Sequence, residues 1–126
     1  MKFLSRFEPN AYFVLRVIFG FLFMCHGLQK VFGMIGGIQG HPAPTMSVPW
    51  VGGVIELVTG VLILIGFLTH IAGFLASGEM AFAYFMVHYP HGFFPIKNGG
   101  ELAVIYCFVA LYIACRGAGR FGVDRS

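Results

Sequence analysis

The run from Ala11 to Phe32 holds one charge, Arg16, until His26, Gln29 and Lys30 fall on about one helical turn at its end. A stretch like this has few ways to fold. In water its apolar girth would stay exposed. Across a hydrocarbon core of about 30 Å, roughly 20 apolar residues wound as a helix satisfy every backbone polar group within the segment. Three more runs follow, Trp50 to Phe67, Ile71 to Val87 and Gly100 to Cys115. At about 1.5 Å per residue the first is about 33 Å long and the others about 24 to 27 Å, near the minimum for crossing. Only 10% of the chain is charged, against about 25% in a soluble domain. The expected fold is therefore all-α: an integral membrane four-helix bundle forming a single transmembrane domain over residues 1–126.

No A-x-A-like cleavage site follows Phe32, so the first helix is expected to remain in the mature protein. Lys2, Arg6, Arg116, Arg120 and Arg125 lie near the end shared by the two termini, while Lys30 and Lys97 lie toward the other end. By the positive-inside rule both termini are expected in the cytoplasm and the two longer connections outside. The net charge of +3 then reflects topology, and no nucleic-acid partner is expected. GFLTHIAG predicts a tight hairpin between the second and third helices. Gly33 to Pro49 is rich in Gly and Pro, and HYPHGFFPIKNGG has the amphipathic pattern of an interfacial segment. Cys25, Cys107 and Cys115 form no C-x-x-C and support no disulfide framework; they read as small apolar residues.

Small residues mark the expected helix contacts, because membrane helices associate through close backbone approach. Gly73, Ser77 and Ala81 line one face of the third helix, and Gly53 and Gly60 flank Glu56 on the second. Charges near the bilayer centre are costly, which turns Glu56, Glu79 and Arg16 inward. Counting from the cytoplasmic ends places Arg16 and Glu79 at about 8 and 12 Å, Glu56 at about 16 Å, and His26, His88 and Glu101 at about 22 to 25 Å. Arg16 is expected to pair with Glu79 first and Glu56 second. Since one Arg cannot neutralise three carboxylates, Glu56, the deepest from both faces, is the expected proton-exchanging carboxyl. Lys30 is expected to snorkel to the interface, and Gln29 to bridge a carbonyl and a carboxylate. His26 can accept, donate or titrate near neutrality. If it converges with His88 and Glu101, they form an outward-opening polar pocket. His26, His88, His91 and Glu101 match no compact metal motif, and no C-x-x-C-H marks a haem. Haem or a metal on His26 and His88 is therefore a lesser alternative, and no metal site is assigned.

The stretches LRVIFGFLFMCHGLQKVFG, GGVIELVTGVLILIGFLTH and MAFAYFMVHYPHGFFPIKNGGELAVIYCFVALYIACRGAGRFGVD, with the four-span layout, resemble the bacterial DoxX family. The resemblance implies a multi-pass protein of the inner (cytoplasmic) membrane. It is related by name to the small subunit of archaeal thiosulfate:quinone oxidoreductases, with wider fold relatives that bind sterol-like or quinone-like molecules. The family pattern emphasises positions matched here by Arg16, His26, Gln29, Lys30, Glu56, His88, Asn98 and Glu101, without assigning their chemistry. Thiol-redox relatives of similar architecture use paired cysteines, which this chain lacks.

Residues and resemblance together give the expected function, a quinone-linked oxidoreductase subunit or electron-transfer partner. In it His26 and Glu56 handle protons, while Arg16, Gln29, Lys30, His88, Asn98 and Glu101 hold the ligand. Its expected partners are membrane lipids, a soluble or membrane oxidoreductase, and a second copy of the chain. The alternative is a non-catalytic membrane protein that binds or moves a small molecule or scaffolds a complex.

Overall fold

The computed structural model describes residues 2–124; Arg125, counted above among the basic residues, lies outside them. The described chain is helical, with one isolated bridge between Ile38 and His41 and no strand. A short α1 (Lys2–Ser5) precedes α2 (Glu8–Phe32), α3 (Val48–Ile65) and α4 (Thr69–Ala83). α4 widens into a π-turn at Tyr84–His88 and tightens into a 3-10 turn at Tyr89–His91; α5 (Pro95–Asn98) and α6 (Glu101–Arg116) follow. Three helical segments, Glu8–Phe32, Val48–Ile65 and Thr69–His91, are long and apolar enough to cross a membrane. α6 has 16 residues, about 24 Å at the usual rise.

Local chemistry sets these ends more sharply than hydropathy does. α2 starts three residues before the apolar run because Pro9 sits in its first turn, where the missing N–H costs nothing. It stops at Gly33, whose left-handed backbone (φ 70°) returns N–H to Gln29 O. α3 is shifted two residues toward the N-terminus of the expected Trp50 to Phe67. Ser47 caps it by accepting from Trp50 N at 3.4 Å, and left-handed Gly66 ends it. α4 has no cap of its own. Asp124, from the C-terminal tail, accepts from Leu68 N and Thr69 N, both at 2.9 Å. The Thr69 amide, assisted by that of Leu68, holds the Asp124 carboxyl below its ordinary value against a smaller opposing effect of desolvation.

Backbone proximity dominates the packing. A Cβ on Gly20 would lie 2.5 Å from Leu64 N, on Gly60 2.5 Å from Met24 N, and on Gly27 2.4 Å from Leu57 N. α2 and α3 thus cross with glycine from both sides of the seam. α4 meets α6 in the same way: a Cβ on Gly73 would lie 2.7 Å from Ala114 N, and Ser77 Oγ donates to Cys107 O at 2.8 Å. Between these pairs Phe19, Phe23 and Tyr106 pack with ring centroids 5.2 to 5.8 Å apart, beside Ile63, Ala76 and Ala110. The outer faces, among them Phe74, Phe82 and Phe108, remain apolar and exposed.

The end of the bundle that holds the start of α2 is locked by the tail. Tyr12 donates its hydroxyl to Gly117 O at 2.6 Å, Arg116 pairs with Glu8, and Arg120 donates to Asn10 Oδ1 at 3.0 Å. Arg16 is the centre of this lock. It is fully buried, and it donates through Nη1 to Ile63 O (2.9 Å) and Leu64 O (3.2 Å), and through Nη2 to Arg120 O (3.4 Å) and Phe121 O (3.5 Å). The expected ion pair with Glu79 does not form. The last carbonyls of α3 lack intrahelical donors, and the guanidinium fork answers that need close by.

Arg16→Leu should therefore remove the donor to Leu64 O and to the tail carbonyls of Arg120 and Phe121, leave Ile63 O with Gly66 N alone, and lower stability in detergent. Each such group costs about 1 to 3 kcal/mol, so a loss of about 3 kcal/mol is expected, with Arg16→Lys restoring part of it. Unchanged melting of Arg16→Leu would mean that the lock contributes nothing.

Candidate functional site

At the other end of the seam the crossing of α2 and α3 delivers Lys30 to Glu56. The Lys30 ammonium lies 3.0 Å from Glu56 Oε1 and 2.8 Å from Oε2, and the Glu56 side chain is 1% exposed against 25% for Lys30. Gly53 makes room for this reach, since a Cβ there would lie 2.7 Å from Lys30 Cβ. The expected snorkelling of Lys30 is thereby corrected: its ammonium turns inward, because a buried carboxylate one helix away offers a stronger partner than interfacial water.

Glu79 enters from α4, and its carboxyl and that of Glu56 both stand over Gly52. The notch over Gly52 is part of that approach, for a Cβ there would stand 3.1 Å from Glu79 Oε2 and 3.9 Å from Glu56 Oε2. Glu79 Oε1 is enclosed and has no donor among the described residues. Three helices thus contribute one ammonium and two carboxyl groups to a single cluster.

The cluster borders a cavity of about 710 Å³ on the flank between α3 and α4, well within the usual range of about 300 to 1,000 Å³ for small-molecule sites. Its charged lining is Lys30 and Glu79. Val51 and Ile55 from α3, and Phe74, Phe82 and Met86 from α4 and the π-turn, make the apolar walls. Since Phe74, Phe82 and Met86 also belong to the exposed outer face of the bundle, the cavity opens sideways. Sequence reasoning placed a pocket at the outer end of the first, third and fourth spans instead.

The groups expected in that outer layer have separate surroundings. His26 is half-buried and packs edge-on against Tyr106, with centroids 5.9 Å apart. The His88 ring Nδ1 donates to Asn98 O at 3.3 Å. Asn98, buried, donates to Tyr84 Oη and Gly92 O and accepts from Gly100 N, so it pins the connection between the π-turn and α6. Glu101 is exposed at the start of α6. Gln29 donates to Ile35 O at 3.3 Å across the turn that follows α2. No three His, Cys, Asp or Glu side chains come together as a metal-binding group among the described residues. Among the described residues no hydrogen bond joins His26, His88 and Glu101, and the two histidines have partners of their own. Helix-end depth fixed their level but not their direction around each helix.

The family model described as DoxX matches residues 11–89, a segment that holds all but the first three residues of α2, the whole of α3 and α4, and the Lys30, Glu56 and Glu79 cluster. The chain belongs to the DoxX family. Among its relatives, an uncharacterized protein of Haemophilus influenzae is 37% identical over 131 residues, covering 98% of this chain and 96% of that protein. A Bacillus subtilis protein named "Putative oxidoreductase CatD" is 31% identical over 113 residues, 88% of this chain and 82% of its own length. No solved structure matches. For this DoxX protein, family membership and the apolar helices together identify a membrane protein.

Two site residues escaped the sequence reading. Glu79 was visible as an inward carboxylate but was assigned to Arg16 by depth. Gly52 carries no chemistry of its own, and its use depends on which carboxyl groups stand above it.

Breaking one side of the cluster should cost more than removing both. Lys30→Met leaves Glu56 buried without its cation, with an expected loss of about 3 kcal/mol, the low end for a broken buried pair because Lys30 is a quarter exposed. Lys30→Met with Glu56→Gln should recover at least half of that loss in detergent unfolding. Additive losses in the double variant would show that the two side chains are not coupled.

Proposed function

We propose that this DoxX protein is an integral four-helix bundle of the bacterial inner membrane, both termini cytoplasmic, that serves as a quinone-linked oxidoreductase subunit or electron-transfer partner. The basic residues at the tail-locked end support that orientation. The observation that carries the functional reading is the flank cavity, with apolar and aromatic walls and a charged floor of Lys30 and Glu79. A quinone has the matching anatomy: an apolar body that partitions into lipid and a flat head with oxygens that need donors. The sideways mouth suits a ligand that arrives from within the bilayer.

In this reading Lys30 holds a head oxygen, and Glu56 with Glu79 exchanges protons at the cavity floor. His26 lies one turn before Lys30 on the same face of α2, and it remains the proposed second proton-handling group. Arg16, Gln29 and Asn98 support the site through the backbone contacts described above. The name of the Bacillus relative points to the same class of chemistry.

Lipid extraction of the purified protein tests this most cheaply. Quinone should be recovered near one per chain and should fall several-fold in the Glu79→Leu variant. Extracts with no quinone above that of empty detergent micelles, together with substrate-dependent flux in vesicles, would replace the redox reading with non-catalytic binding or transport.

A further inference from the structure

Glycine inside a helix is destabilising relative to alanine, so its presence there calls for a local cause. Seven glycines lie within the long helices, and packing accounts for six: a Cβ on Gly20, Gly27, Gly52, Gly53, Gly60 or Gly73 would stand 3.1 Å or less from a neighbouring atom. Gly78 differs. It is exposed, and a Cβ there would meet nothing within 4 Å. The space above it is the flank cavity, which Gly78 lines together with Phe74 and Phe82. Those two residues stand four before and four after it, on the same face of α4. At about 1.5 Å per residue their Cα atoms are about 12 Å apart along the axis. Neither ring closes the gap between them, since neither comes within 4 Å of the missing Cβ. Glu79, next in sequence, shares the Gly52 notch with Glu56, the partner of Lys30, so the gap lies at the level of the charged groups.

We propose that Gly78 is the specificity-determining position of the flank cavity: the flat head of a lipid-soluble ligand lies over its bare backbone, between Phe74 and Phe82, and turns an oxygen toward Lys30. This rests on the flank cavity being the ligand site. Close approach of a ligand to backbone is one of the roles that glycine alone fills. The Lys30 ammonium has three N–H donors, of which Glu56 takes two, and Lys30 lines the cavity. A rigid ring must pass over position 78 to bring an acceptor to the third, and any side chain there stands in its way. A lipid acyl chain has no acceptor to offer and bends around a small side chain by rotation about its bonds. The aromatic side chains on either side of the gap favour a ring between them through edge and offset contacts.

Binding of a decyl-substituted benzoquinone to the detergent-purified full chain, with melting and light scattering of each variant as measures of fold and oligomeric state, tests this. Gly78→Ala should melt no lower than the wild type, because its methyl group enters open space inside a helix, and should bind several-fold more weakly. Gly78→Leu, which fills the gap, should bind weaker by on the order of tenfold or more. Val58→Leu adds bulk on an exposed face outside the cavity and should change nothing. A decyl-substituted cyclohexane-1,4-dione, which keeps both carbonyls on a puckered ring, should bind the wild type several-fold more weakly than the quinone. Wild-type affinity in both Gly78 variants would overturn the inference and leave the cavity as a quinone site, and equal binding of the dione would overturn the flat head. Lower melting of Gly78→Ala, or a dimer lost in Gly78→Leu with quinone binding intact, would overturn it by showing that packed protein covers position 78. If the wild type binds no quinone, the flank cavity is not the ligand site and the functional reading falls with the inference.

Discussion

Glu56 brings a carboxylate into the middle of an apolar helix, and nothing on its own helix can neutralise it. The cation comes from α2, and it can arrive only because glycine lines both sides of the α2 and α3 seam. Gly20, Gly27 and Gly60 let the two backbones touch, and Gly53 passes the stem of Lys30. A lone buried carboxylate costs far more than a paired one. Close packing and charge pairing are thus one constraint: the glycines fix the distance, and the distance makes the ion pair. Glu79 then joins from α4, and the third helix is committed to the same cluster.

The two ends of the bundle use their buried charges differently. Arg16 gives its two Nη groups to carbonyls at the end of α3 and in the tail, and it ties three parts of the chain together, with its buried Nε left without a partner. Lys30 keeps a donor beyond its ion pair and stands beside a cavity. One cation is a fastener and the other borders a cavity. What separates them is the space beside them: Arg16 is fully enclosed, whereas Lys30 lines an open chamber.

Much of this was legible in the sequence. Length and hydropathy placed the ends of the four long helices to within four residues, and the small residues at Gly53, Gly60, Gly73 and Ser77 marked the faces that pack. The inward turn of Glu56 followed from the cost of a charge in lipid. Pairing did not follow. Depth along the helix put Arg16 level with Glu79, but pairing also depends on the angle around each axis, which comes from the crossing geometry and from where the tail folds back. The same gap applies to His26, His88 and Glu101, whose level along the helices does not say which way they face. The hidden partner of Arg16 was a set of backbone carbonyls, which no side-chain pattern announces. Asp124 capping α4 from 55 residues away is the same kind of contact, made by a tail that reads as polar and unremarkable.

The central claim is that the working surface of this DoxX protein is the flank between α3 and α4 rather than the outer end of the bundle. Photoaffinity labelling with a quinone bearing an azide on its head, followed by mass spectrometry of the labelled peptides, tests it directly. Labels should concentrate on the peptides that carry Val51 to Ile55 and Phe74 to Met86, and excess unlabelled quinone should compete them away. Competable labelling confined to α6 or to the connection around His88 and Asn98 would contradict it.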